Sequence, residues 1–358
     1  GNPTTQTGSL TMTTISIGSA FEGMGNANNG YRSKTFERFC GSLESFRQRV
    51  EARYKGTIYP QGTALAGKTF DAANGGVSTY SADVLIPAFL SAYTSGNGKG
   101  LDIFPTVMHM LPNWTIRYNG LSKLPWLRDH FNAVNINHSY RSIYAVGAYQ
   151  SFSTFASLAG DNTMGFITDA TTGNLVPSSM FNVSTVSINE SFSPLFGIDV
   201  TFLNNMTAKL EYRQTRALSL SMTSVQLNEA VSKDWVFGWG WRIDNFNLFG
   251  LGNTRKKSSR SKGRNSSDDQ RASQTSQRRS QTGTNHGLNL RLDMSYRKQA
   301  AITRNIATVS STASSGNTAF KLSFSAEYTL SKLMSMSFYL DRQTNTPLLA
   351  SSSYPTTT

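Results

Sequence analysis

Cysteine is nearly absent from this 358-residue chain, and a lone Cys40 excludes both an internal disulfide and a cysteine-based zinc site. Histidine is scarce too. His109, His130, His138 and His286 lie far apart, none with a carboxylate or second histidine at metal-ligand spacing. No run of about 18 apolar residues occurs, which argues against a transmembrane helix. GxSxG, Walker A and a GxGxxG set between strand and helix are missing as well. The expectation is no enzyme, no metal and no cofactor. The first residues, GNPTTQTGS, have neither basic start nor apolar centre, so a signal peptide is expected to be absent or already removed.

Only 38% of the residues are hydrophobic and 15% charged. That mixture is unusual for a soluble enzyme and normal for membrane strands that are half polar. The pattern within it is period two. In TAKLEYRQTRALSLSM, Ala208, Leu210, Tyr212, Leu218, Leu220 and Met222 alternate with Thr207, Lys209, Glu211, Arg213, Ser219 and Ser221. Leu288, Leu290, Leu292, Met294 and Tyr296 alternate with Asn289, Arg291, Asp293 and Ser295; Arg297 extends the polar series. Phe320, Leu322, Phe324, Ala326 and Tyr328 do the same against Lys321, Ser323 and Glu327. In WVFGWGWRID, Trp235, Phe237, Trp239 and Trp241 share one face, with Gly238 and Gly240 on the other. Such a face must be covered by protein or by lipid. Repeated long two-faced strands fit lipid outside and water inside, with aromatic rings near the headgroups.

The expected fold is all-β: an antiparallel transmembrane β-barrel with short helices in its loops. Nine strands are expected, at 10–21, 111–119, 132–152, 183–203, 206–222, 232–248, 287–305, 318–330 and 333–346. Residues 1–21 would hold the first strand and 22–110 a long outer loop, with helices at about 34–54 and 86–94, the second beginning at Pro87. Residues 111–248 would be barrel strands, 249–286 a basic periplasmic connection, and 287–358 further strands and an outer loop. Tight hairpins at Asn204-Asn205 and Ser331-Lys332 fall on one side. The connections 153–182, 223–231 and 306–317 would then lie outside. An odd strand count is abnormal for a closed bacterial barrel, so the chain is expected to be part of a much larger barrel.

Between Asn253 and His286 stand nine Lys/Arg and two Asp, a net of +7 out of +13 for the chain. The segment has no interleaved aromatics to stack on bases, so no nucleic acid is expected as a partner. A solvated loop near anionic headgroups or an acidic partner is the reading it supports. Cys40, on a helical apolar face, reads as a small buried hydrophobe.

Several stretches, in order, resemble one family. DVLIPAFLSAY (83–93), LPNWTIRYNGLSKLPW (111–126), HSYRSIYAVGAY (138–149), FSPLFGIDVTF (192–202), RALSLSM (216–222) and YLDRQTNTP (339–347) are similar to the carboxy-terminal part of the SprA/Sov proteins. These are outer-membrane translocons of the type IX secretion system of Bacteroidota. The 253–286 insertion departs from the family, and its terminal strand after the SYPT-like stretch is missing. The resemblance implies a barrel of about 36 strands. Folded cargo with a type IX signal domain would cross its lumen and leave through a lateral opening. Implied partners are the remainder of the same barrel, a PorV-like shuttle barrel, a periplasmic plug protein, cargo and outer-membrane lipid.

Lumen-facing candidates are Lys209, Glu211, Arg213, Arg291, Asp293, Arg297, Lys321 and Glu327. Trp235, Phe237, Trp239 and Trp241 are expected to face lipid. Trp114, Tyr118, Trp126 and Arg141 are candidates for structural or partner contacts. A small-molecule pore would need an even strand count and a closed chain. A secreted β-rich adhesin would need polar outward faces, against the three tryptophans of 235–241.

Overall fold

Alternation of polar and apolar side chains at period two demands extended backbone, and the chain obeys it. The computed structural model describes residues 6–62, 64–95, 100–105, 111–158, 161–244, 246, 287–331, 333–349 and 356–357. β1 (Thr7–Thr13) leads into one turn of helix, α1 (Ile17–Ala20), then α2 (Lys34–Tyr54), α3 (Ala82–Tyr93) and β2 (Trp114–Tyr118). The short α4 (Pro125–Arg128) precedes the long β3 (Phe131–Ser151). β4 (Ala156–Leu158), β5 (Asp161–Thr168) and β6 (Leu175–Pro177) make a small sheet, and β7 (Phe181–Val183) pairs with β3. Long strands follow: β8 (Thr185–Phe202), β9 (Met206–Ser221), β10 (Gln226–Asp244), β11 (Gly287–Asn305), β12 (Ser310–Ser331) and β13 (Met334–Pro347), then the stub β14 (Thr356–Thr357).

The protein is mostly antiparallel β-sheet, as the alternation requires. Its large sheet runs β1-β3-β8-β9-β10-β11-β12-β13-β14, with β2 and β7 beside β3. Among the described residues this path is open. β10 pairs with β9 and β11 without a register shift. The basic segment 253–286 lies outside the described residues, and so does the expected hairpin residue Lys332.

Several expected boundaries are corrected. β1 stops at Thr13 instead of continuing to 21. Ile15, Ile17 and Ala20 turn away from the sheet to pack on Tyr140 and Phe192, and the Ser16 amide donates to the Tyr140 hydroxyl at 2.8 Å. β10 begins at Gln226, so the connection expected over 223–231 is a tight turn in which Val225 takes φ 52°. β12 begins at Ser310, and the connection expected over 306–317 is likewise a turn, with Val309 at φ 49°. Ser310–Asn317 carries no apolar alternation because its strand is specified by pairing with β11. Tight turns therefore occur at both ends of the long strands. α3 starts at Ala82, not at Pro87: the Ser81 carbonyl accepts from Val84 and Leu85, and Pro87 sits inside the helix. The proline removes one amide donor, a loss offset by burial of Val84, Leu85, Ile86 and Phe89.

α2 occupies the expected 34–54 span, and its first turn is capped. Ser33 Oγ accepts from the Phe36 amide at 3.1 Å, and the Glu22 carboxylate accepts from the amides of Lys34 and Thr35. Phe36, Phe39, Leu43, Phe46 and Val50 line its buried face. With α3 they cover Tyr144, Val146, Val186, Ile188, Leu218, Leu220, Leu227 and Ile306 of the sheet. Each such side chain stabilises by about 1.5–3 kcal/mol when removed from water. Cys40 packs against this core, and burial pushes its thiol up to about 11, so it behaves as a small hydrophobe.

Asp83 begins α3 partly buried, and burial pushes its carboxyl up to about 6, with hydrogen bonds from Ser179 and the charge of Arg53 pulling the other way. Its folded value lies above the unfolded value of about 3.9. The folded state then binds more protons between those values, so stability falls as pH rises through about 4 to 6. Amide exchange in the first turn of α3 is expected to quicken, after intrinsic correction, by the equivalent of about 1–2 kcal/mol across that window. Asp83→Asn removes the dependence.

Candidate functional site

Residues paired across strands share a face of the sheet, so register alone sorts the long strands into two surfaces. One surface carries a row of rings: Phe196, Tyr212, Trp235, Tyr296 and Phe320 stand side by side on β8 to β12. Tyr212 and Trp235 stack at 4.6 Å, and Phe196 meets Trp235 at 5.7 Å. Below it, Ile198, Leu210, Phe237, Met294 and Leu322 form the next row, with Tyr118 and Ile136 extending it. Val200, Ala208, Trp239, Leu292, Phe324 and Leu340 follow. Trp241, Leu290, Ala326 and Phe338 come next, then Ile243, Leu288, Tyr328 and Met336.

Apart from the buried Tyr328, this surface is exposed or half-buried. Trp235 and Tyr296 are each 43% exposed and Met294 38%. With Leu210, Phe338, Leu340 and Met336 also exposed, the band is a contiguous apolar patch of the kind that marks a partner or membrane surface. The helical layer covers the same surface, but only over the strand halves that end at Leu220, Leu227 and Ile306. Trp235, Phe237, Trp239 and Trp241 thus lie together in the bare half.

Buried polar groups lie under the helical layer and at its edge toward the bare half. Arg216 lies 3.1 Å from Glu190, their side chains 4% and 1% exposed. Arg216 also donates to the Ser19 carbonyl at 2.6 Å and to Ser19 Oγ at 2.8 Å. Ser16 Oγ and the Tyr140 hydroxyl donate to Glu190 Oε1 at 2.7 and 2.9 Å. Arg304 pairs with Glu229 at 2.7 Å and donates to the Tyr31 carbonyl at 2.7 Å. These residues were not legible as a set, because they come from separate strands and from the segment that follows β1, which only the fold brings together.

The other surface is polar, and all eight charged candidates share it. Lys209 Nζ lies 2.8 Å from Glu211, which Arg213 also contacts. Arg291 pairs with Asp293 at 2.6 Å, and Arg297 with Asp234 at 2.9 Å across β11 and β10. Lys321 and Glu327 are exposed on β12, opposite Ser295 and Asn289. Asn137 donates to Asp199 at 2.8 Å, beside a cavity of about 620 Å³ lined by Arg117, Lys209 and Glu211. A second cavity, of about 780 Å³, opens over Thr215, Ala217, Ala230, Ser232 and Ala301, with Arg141 at its margin. Here the face bears mostly small side chains, with Arg141 and Gln299 the long exposed ones.

The remaining candidates separate. Trp114 packs on Tyr140 with ring centres 4.6 Å apart, where β2 pairs with β3. Tyr118 and Trp126 are 52% and 70% exposed, and the structure brings neither into a cluster with Arg141. Among the described residues no group of three metal-ligating side chains occurs. No protein-family model and no curated protein sequence matches the chain.

Proposed function

We propose that this chain is a stretch of wall from an outer-membrane β-barrel larger than its own strands enclose, one that exports folded proteins by type IX secretion. The observation that carries the membrane reading is the bare apolar band backed by paired charges. From Trp235 to Ile243 the band covers nine positions of β10, about 27 Å along the strand. Tilted as barrel strands are, that is about 20 Å in height, near the roughly 25 Å of a barrel's apolar belt. Water on the opposite face would solvate the ion pairs of Glu211, Asp293 and Asp234. The open path of the sheet supports a barrel completed by further strands.

The translocon reading rests on the ordered SprA/Sov-like stretches, and with it come a PorV-like shuttle barrel, a periplasmic plug and signal-bearing cargo as proposed partners. On this reading the polar face is a wet wall along which cargo slides without sticking. Most of its charges, those of Lys209, Glu211, Arg213, Arg291, Asp293 and Arg297, are engaged in ion pairs and offer no strong site to a passing surface. Reversing them in the pair Lys209→Glu and Arg213→Glu would leave Glu211 among like charges. Secretion of a signal-bearing cargo is expected to fall severalfold, while the amount of protein in the outer membrane stays unchanged. Loss of insertion instead would mean that these side chains do not face water.

The deciding experiment is the denatured mass of the native polypeptide in outer membranes, detected with an antibody against residues 253–286. A band several times 39.2 kDa, or a 39.2 kDa band co-purifying with a larger barrel polypeptide, supports the translocon. A 39.2 kDa band standing alone in the membrane favours a small-molecule pore. Recovery only in the medium favours an adhesin.

A further inference from the structure

Where charges on the large sheet meet directly across strands, they meet opposites. Glu190 faces Arg216, Asp199 faces Lys209, and Asp234 faces both Arg213 and Arg297. One position breaks the rule. Lys233 of β10 stands directly opposite Lys298 of β11, the single like-charged pair in register among the described residues. Such an opposition is destabilising unless something neutralises it.

No described residue does. Neither lysine has an ion pair among the described residues, and the acids near them are taken. Asp234 belongs to the other face and is held by Arg297 at 2.9 Å. Glu190, in the next row of the same face, is held by Arg216, and Glu229, beyond it on β10, by Arg304. The flanking positions in the lysine row are Gln214 and Thr318, and above them lie Val231, Ala300 and Gly316. Below is the ring row, with Trp235 and Tyr296 directly beneath the two lysines.

We propose that Lys233 and Lys298 together bind the phosphate of an anionic lipid headgroup, whose acyl chains lie down the face over Trp235 and Tyr296. The inference rests on the membrane reading above. One tetrahedral anion can accept from both ammonium groups, each with three donors, and turns the repulsion between them into a bridge. The position is suited to it: cations just above an aromatic row are where lysine stems cover apolar surface and reach the headgroup level. The apolar surface below the pair is what favours a lipid over free phosphate.

The test takes the protein extracted from its native outer membranes into uncharged detergent. Native mass spectrometry then counts the lipids it retains on addition of phosphatidylglycerol, phosphatidylcholine or inorganic phosphate. Each lysine near an anionic surface contributes about fivefold, so Lys233→Gln with Lys298→Gln is expected to weaken phosphatidylglycerol retention about 25-fold. Lys298→Glu gives Lys233 a partner inside the protein and so protects the fold, and it is expected to lose the lipid as well. Lys321→Gln, on the opposite face, retains it like wild type. Equal retention by wild type and the Lys298→Glu variant overturns the proposal, as does equal retention of phosphatidylglycerol and phosphatidylcholine. Displacement of the lipid by inorganic phosphate at equal concentration assigns the pair to free phosphate and overturns the lipid assignment. Failure of the membrane reading is seen separately, as wild-type protein missing from the membrane fraction before any lipid is added.

Discussion

Arg216→Ala is expected to destabilise the folded protein by about 3–5 kcal/mol, the usual result of stranding one member of a buried ion pair. The arginine is enclosed with Glu190 and donates to the carbonyl and hydroxyl of Ser19. Removing it leaves Glu190 with donors from Ser16 and Tyr140 but no countercharge. It also frees two acceptors that fasten α1 to the wall. Since whole domains are stable by only about 5–15 kcal/mol, the denaturation midpoint of the detergent-extracted protein should fall sharply. Arg291→Ala offers the contrast, because its pair with Asp293 is exposed and worth about 0–1 kcal/mol. Arg216→Met combined with Glu190→Met should recover much of the loss, since no uncompensated charge remains. Equal midpoints for the Arg216 and Arg291 variants would mean that the Arg216 pair is open to water.

The same residues explain what the sequence made legible. The alternation in TAKLEYRQTRALSLSM assigns Lys209, Glu211 and Arg213 to one face, and register puts them there. Gln214 and Arg216 interrupt the apolar series of that strand, and local pattern has no account of them. Their partners are Ala20, Ser16 and Ser19, some two hundred positions earlier. The apolar faces expected at about 34–54 and 86–94 signalled a layer that needs covering, yet not which surface it covers. It is the surface of the tryptophans, continued to the other end of the strands. Ser310–Asn317 was unreadable for a different reason. A strand whose side chains are small and polar on both faces owes its conformation to ladder pairing with β11, which no local period records. The ring row was hidden because its members come from β8 to β12, and only register aligns them.

Trp239→Lys should remove the protein from the outer membrane. Trp239 lies midway between Trp235 and Ile243 on the bare surface, between Ala208 and Leu292. A lysine at the middle of a lipid-facing strand costs about 2–4 kcal/mol, a factor of roughly 30 to 1,000 in folded, inserted protein. Ser323→Lys places the same charge on the opposite face, between Asp293 and Asp341, where water and two carboxylates receive it. The measurement is the fraction of each variant in washed outer membranes, together with its resistance to protease. Loss confined to the Trp239 variant is the expected outcome. Equal insertion of both would mean that the band touches protein or water instead of lipid, and the barrel reading would fall with it. Equal loss of both would mean that the polar face is not wet. The two substitutions separate the surfaces because period two leaves no third place for a side chain to go.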